Sequence, residues 1–203
     1  MNVSRPGFRR LNTRMLFLRY LLQLILAPHT GWSDISSADK PVSFWLTKGF
    51  YPLLGAGALS CFASLVYHQE STIGVCLQNA IILFIGYFAS YFIAGLIFST
   101  AYPKLVQLPD ESELTHNGVI CRFNIMTLFS LGLMVLLTLI ENLLPFDIAV
   151  TRFLFLYVLF IIYRAADFIG VTPVRAGLYT LTSFVAVFIP PFLIIMWLSS
   201  LLN

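Results

Sequence analysis

Five apolar stretches, 50–67, 81–98, 123–140, 148–163 and 178–202, decide what this chain can fold into. Hydrocarbon about 30 Å thick is crossed by a helix of roughly 20 mostly apolar residues, because a helix satisfies its own backbone hydrogen bonds. Threaded as alternating crossings, the five stretches put Arg5, Arg9, Arg10, Arg14, Arg19, Lys40, Lys48, Lys104, Arg122, Arg164 and Arg175 on one side. Only Arg152 falls on the other. Cytoplasmic loops collect Lys and Arg, so the expected topology has the N-terminus inside and the C-terminus outside. The fold class is therefore all-α: a polytopic bundle of five transmembrane helices.

Composition agrees with this reading. The 203 residues are 59% hydrophobic and only 10% charged, against about 25% charged in soluble domains. So few charges do not cover a water-facing surface, and membrane lipids are the expected neighbours. The net charge of +3 comes from basic residues that flank apolar segments, which makes them topology determinants and not a nucleic-acid surface. Five crossings leave no room for a separate soluble domain. The chain divides into a basic arm with an interfacial helix, 1–48, and the five-helix region, 49–203.

The arm ends in an apolar stretch, 15–27, interrupted by Arg19 and Gln23. These two are one helical turn apart and share a narrow face with Asn12. The pattern predicts an amphipathic helix lying in the interface, apolar side down. The rival reading is a signal peptide, but Ala27-Pro28-His29 lacks a small-x-small cleavage site. Pro28 is expected to end the helix. Trp32 and Trp45 are expected at headgroup level, with a short helix over 33–38 ahead of Pro41. Pro103 and Pro109 are expected to break the long loop 99–122, with Asp110 and Glu113 spaced to start a short helix. Pro190 and Pro191 predict a kink in the last span.

Small residues recur every fourth position in the first two spans: Ala56, Ser60 and Ser64; Gly57 and Cys61; Gly86, Ser90 and Ala94. Such stripes let helix backbones approach closely inside a membrane, and internal packing is preferred over a dimer face. Cys61, Cys76 and Cys121 are placed at three different depths, so no disulfide is expected and CxxC spacing is absent.

Polar residues within or beside the spans are the candidates for function. Glu141 lies at the outer edge, where Arg152 is close enough across a short turn to pair with it. Arg164 and Asp167 share one helix face and are expected to form a local ion pair, or else to line a cytoplasmic docking surface. Asn79 with Gln78, and Asn124, are read as inter-helix hydrogen bonders. His68 and Glu70 lie together outside, away from His29 and His116, so no metal ligand set is expected. HExxH, GxSxG and P-loop patterns are absent, and no catalytic residue or cofactor is predicted.

The order of features resembles the Yip-domain family of five-span membrane proteins, the Ypt/Rab-interacting type, in its short bacterial form. The likeness rests on Leu24-Ile25-Leu26-Ala27-Pro28 followed by Trp32, on Tyr51-Pro52-Leu53-Leu54-Gly55, and on Cys121-Arg122-Phe123. It continues through Arg152-Phe153-Leu154-Phe155-Leu156-Tyr157, Tyr163-Arg164 and the double proline. It spans about 15–202. The long N-terminal region and the Asp-Leu-Tyr-Gly-Pro signature of the eukaryotic members are not in this sequence, so no Rab-type GTPase partner carries over. The resemblance implies five helices and the bacterial cytoplasmic (inner) membrane, and brings no catalytic residue with it. Two functions follow as expectations. The first is a scaffold that binds other membrane proteins or copies of itself. The alternative is an oligomeric transporter or lipid-moving protein with a polar path near Glu141.

Overall fold

The computed structural model describes residues 16–67, 72–106, 116–144 and 149–202, with the backbone alone for 116 and 149–152. Met1 to Arg14, His68, Glu70 and the Asp110–Glu113 helix start lie outside the described residues.

Among the described residues the fold is all-helical. Helix α1 is Leu16–Leu26 and α2 is Pro28–Ser37. Helix α3 runs over Val42–Tyr67 and contains a π-helical turn at Leu46–Phe50 and a 3-10 turn at Cys61–Ala63. Helix α4 is Ile73–Leu105 and α5 is His116–Leu143. Helix α6 is Ala149–Arg164, α7 is Ala166–Ile169, and α8 is Ala176–Leu202 after a 3-10 turn at Pro173–Arg175.

Among the described residues four segments are long and apolar enough to cross a membrane: Val42–Tyr67, Ile73–Leu105, Asn117–Leu143 and Pro173–Leu202. The chain therefore has the build of an integral membrane protein. The segment expected to supply a fifth crossing forms α6, which has 16 residues. That is roughly 24 Å of helix, short of the ~30 Å hydrocarbon. The chain then turns at Ala165, resumes helix as α7, and stops at Gly170, whose φ of 92° is the left-handed conformation of a helix C-terminal glycine.

Side-chain contacts fix the helix directions. Ser64 of α3 meets Cys76 of α4 at 3.2 Å, while Phe50 meets Tyr91 with ring centroids 6.2 Å apart, so α3 and α4 are antiparallel. Tyr87 meets Thr138 at 3.1 Å and Phe98 stacks on Phe123 at 4.6 Å, so α4 and α5 are antiparallel too. Gly86 packs on Ile195, and Arg175 Nη1 donates to the Lys104 carbonyl at 2.7 Å, which sets α8 antiparallel to α4. One consequence is that Lys104, Arg122, Arg164 and Arg175 gather at one end, the basic end.

Helix α5 is the core of the bundle. Inside the protein, 72% of its apolar window is buried, against 22% for the last helix. Phe123, Met126, Leu128, Phe129, Leu131 and Val135 are all fully buried along it.

The helix expected to lie apolar side down in the interface is present as α1, but protein covers its apolar stripe. Phe17, Leu21 and Leu24 are buried, with the Phe17 ring 4.7 Å from that of Phe129. Leu18, Leu22 and Leu26 face outward. Hydrophobic periodicity shows that one face is apolar; it does not say what covers it. Pro28 ends α1 by opening α2 at its first turn, where a missing N–H costs nothing. Helix α2 folds back on α1 through Gly31 against Leu24 and a hydrogen bond from Gln23 Nε2 to Asp34 Oδ2.

Trp32 and Trp45, expected among headgroups, are instead core residues at 2% and 1% exposure. Trp32 Nε1 donates to the Ile161 carbonyl at 3.0 Å and the ring stacks on Phe168 at 5.4 Å. Helix α4 continues through Pro103 to Leu105, and α8 runs through Pro190 and Pro191 as one helix.

Candidate functional site

Two clefts, one at each end of the bundle, hold Asn79, Arg164 and Asp167 from among the polar side chains singled out in the sequence.

The first lies at the end opposite the basic one, between α3, α4, α5 and α8. It has a volume of about 280 Å³ and is lined by Cys61, Ser64, Asn79, Tyr87, Thr138 and Asn142, among others. Asn142 organises it, donating to Ser60 Oγ at 2.9 Å and to Cys61 Sγ at 3.6 Å. Ser60 in turn donates to the Gly57 carbonyl at 2.6 Å. Thr138 donates to the Met134 carbonyl at 3.1 Å, which leaves the Tyr87 hydroxyl as donor in the 3.1 Å Tyr87–Thr138 bond. In a span surrounded by hydrocarbon such bonds tie helices together, at about 0.6 kcal/mol each.

Of the predicted residues, Asn79 reaches this cleft and Ser60 borders it. Glu141 is half-buried and does not line it. The Arg152 side chain, and with it the Glu141–Arg152 pair, lies outside the description. Asn142 was missed, although an Asn at the end of an apolar run is a legible signal. Cys61 and Cys76 were expected at different depths, yet both are at this end. Cys76 touches Ser64, one turn from Cys61. All three cysteines are free thiols.

The small-residue stripes are consumed inside the fold. Gly57 packs on Val135 of α5, and Gly86 on Ile195 of α8. Ser90 and Ala94 are buried on the same side of α4. Ala56 differs, facing outward. Asn124 Oδ1 approaches Gly95, where an added Cβ would meet it at 3.6 Å.

The second cleft is at the basic end, between α2, the start of α5 and the α6–α7 turn. It has a volume of about 340 Å³, and its lining includes His29, Ser33, Ser36, Arg122, Arg164 and Asp167. Arg122 Nη1 donates to the Phe168 carbonyl at 2.8 Å, with the guanidinium 5.7 Å from the Phe168 ring centroid. The local Arg164–Asp167 ion pair expected from their spacing is not among the contacts of the described residues. Arg164 lies over the Phe160 ring instead, at 5.6 Å, where a cation meets the negative face of the ring. Both residues line the same cleft, together with Arg122 and His29. Neither of these last two was singled out as a site residue. Their signal is tertiary, because α2 joins the cleft only after folding back along α1.

No family model, curated protein or solved structure matches this chain. What the two clefts can do is therefore read from their own chemistry. The first offers neutral hydrogen-bond donors and acceptors beside two thiols. The second offers fixed positive charge beside hydroxyls.

Proposed function

We propose that this protein is a Yip-type membrane organising protein that binds other membrane proteins or copies of itself. It sits in the bacterial cytoplasmic membrane with five crossings, the N-terminus inside and the C-terminus outside. The observation that carries the reading is the filled middle of the bundle. Phe98, Phe123, Phe129 and Tyr179, all at 2% exposure or below, are packed inside the bundle, with Phe123 against both Phe98 and Tyr179. A core filled with rings of this size suits a packed scaffold better than a conduit.

A partner surface is available on α4. Phe84, Phe88 and Phe92 are exposed one turn apart, with successive ring centroids 5.9 Å and 5.1 Å from each other. Rigid rings give large contact area at low entropic cost. The buried Gly86–Ser90–Ala94 stripe is the wrong place to probe association, since a larger side chain there strikes α8. The test is extraction into native lipid particles followed by identification of co-purifying proteins. Replacement of Phe84, Phe88 and Phe92 together by Leu should strip partners while the bundle remains folded. A wild-type chain that emerges monomeric and alone would remove the proposal.

The polar cleft around Asn142 favours a second reading, movement of a lipid or ion along the outer half of the bundle. Vesicles containing the protein would then show flux that Asn142→Leu abolishes. Flux equal to that of protein-free vesicles would dispose of it.

A further inference from the structure

The basic cleft carries chemistry that an organising role does not use. It is lined by two guanidiniums, Arg122 and Arg164, against one carboxylate, Asp167. Among the described residues neither guanidinium is paired with a carboxylate. Arg122 bonds the Phe168 carbonyl and lies over its ring, and Arg164 lies over Phe160. Each contact fixes the plane of the cation while leaving most of its N–H donors free to point elsewhere. The hydroxyls of Ser33 and Ser36 and the imidazole of His29 border the same space from α2. Helix α2 is itself held in place by the Trp32–Ile161 and Gln23–Asp34 bonds.

Two oriented forks of donors, with hydroxyls and an imidazole lining the same cleft, match a tetrahedral oxyanion. Arg binds phosphate through paired, charge-assisted hydrogen bonds. Position matters as much as chemistry. Arg122 immediately precedes the apolar run 123–140, and Arg164 immediately follows the run 148–163. Basic recesses at that boundary meet lipid headgroups.

We infer that this cleft binds a phosphate group, presented by an anionic lipid headgroup or free as the inorganic ion. Arg122 and Arg164 grip the oxygens, Ser33 and Ser36 donate to them, and Asp167 sets an upper limit on affinity by repulsion. The inference stands apart from the organising role, since the lining of this cleft includes no residue of α4.

The test is native mass spectrometry of the full chain in a nonionic detergent, titrated separately with three probes. These are dihexanoyl phosphatidylglycerol, dihexanoylglycerol without phosphate, and inorganic phosphate. Arg164→Glu should weaken binding of the phosphate-bearing probe roughly tenfold or more, and Asp167→Asn should strengthen it severalfold. Both side chains are exposed, so the fold should survive either change, and the opposite signs separate a site from a general loss of structure. Tight binding of phosphatidylglycerol that inorganic phosphate does not displace assigns a lipid headgroup. Binding of the free ion with the same order of variants assigns inorganic phosphate. Either result supports the site. Binding of phosphatidylglycerol no tighter than that of dihexanoylglycerol, with no binding of the ion, overturns it. So does an affinity that neither variant changes. The readout does not depend on any co-purified protein, so its failure leaves the organising role untouched.

Discussion

Replacing Gly49 by Ala should undock α1 from the bundle. Gly49 sits in the π-helical turn of α3 with the Phe17 ring against it. A methyl group there would meet Phe17 Cγ, with Phe17 Cδ2 at 2.5 Å and Phe17 Cβ at 2.6 Å. Ordinary contact begins at about 3.5 Å, so Phe17 must retreat by roughly 1 Å. It has little room, because its ring is 4.7 Å from Phe129 and 6.4 Å from Trp45. Overpacking of this kind costs about 1–3 kcal/mol, and ejection of the ring forfeits a further ~0.5–1.5 kcal/mol of aromatic pairing. Opposing this is a gain of up to about 1 kcal/mol from replacing a helical glycine. Gly55 supplies the control, since a Cβ there meets nothing within 4 Å. That gain is common to Gly55→Ala, so unfolding in mixed detergent micelles should place Gly49→Ala about 1–4 kcal/mol below Gly55→Ala, with proteolytic cleavage near Ala27 appearing only in the former. In a Phe17→Ala background the penalty should vanish. Equal stabilities for the two glycine variants, or a penalty that persists without Phe17, would refute the docking of α1.

Three further outcomes are expected. Gly86→Ala should destabilise the bundle by about 1–3 kcal/mol through overpacking, because its Cβ would lie 2.6 Å from Ile195 Cγ1; Ile195→Ala should relieve this clash in a double-mutant cycle. Tyr157→Phe removes the 2.6 Å hydrogen bond from the Tyr157 hydroxyl to the Ile25 carbonyl and should cost about 0.5–1.5 kcal/mol, read as faster hydrogen exchange in α1. A topology reporter fused after Asn203 should report a non-cytosolic location, and a cytosolic signal would contradict the alternating threading.

Much of the bundle was legible because membrane helices are written in long apolar runs and flanking charge, and both survive without tertiary context. Phe50 to Tyr67 and Leu178 to Leu202 lie inside the observed helices for that reason. What escaped depends on neighbours distant in sequence. Trp32 and Trp45 read as interfacial by residue type, but Phe129 and Phe168 offer them a covered site. Pro103 reads as a breaker, yet it falls in the last turn of α4, where little helix remains to be lost. The basic cleft was half legible. Arg164 and Asp167 drew attention through their spacing, whereas His29 and Arg122 lie 93 positions apart and meet only in the folded chain. The spacing rule paired Arg164 with Asp167, but the adjacent Phe160 ring takes the guanidinium instead.

The bonds that hold the first helical pair to α6 join residues 129 and 132 positions apart, Trp32 to Ile161 and Ile25 to Tyr157. A ribosome adding 5–20 residues per second takes about 7–25 s to make that much chain. Phe17 and Leu21 have their partners on α3 and α5 sooner, by Gly132, whereas the Trp32 indole N–H and the Ile25 carbonyl lack these partners for that whole interval. These two bonds from the α1–α2 pair thus form only after the Tyr157–Ile161 region of α6 has been delivered.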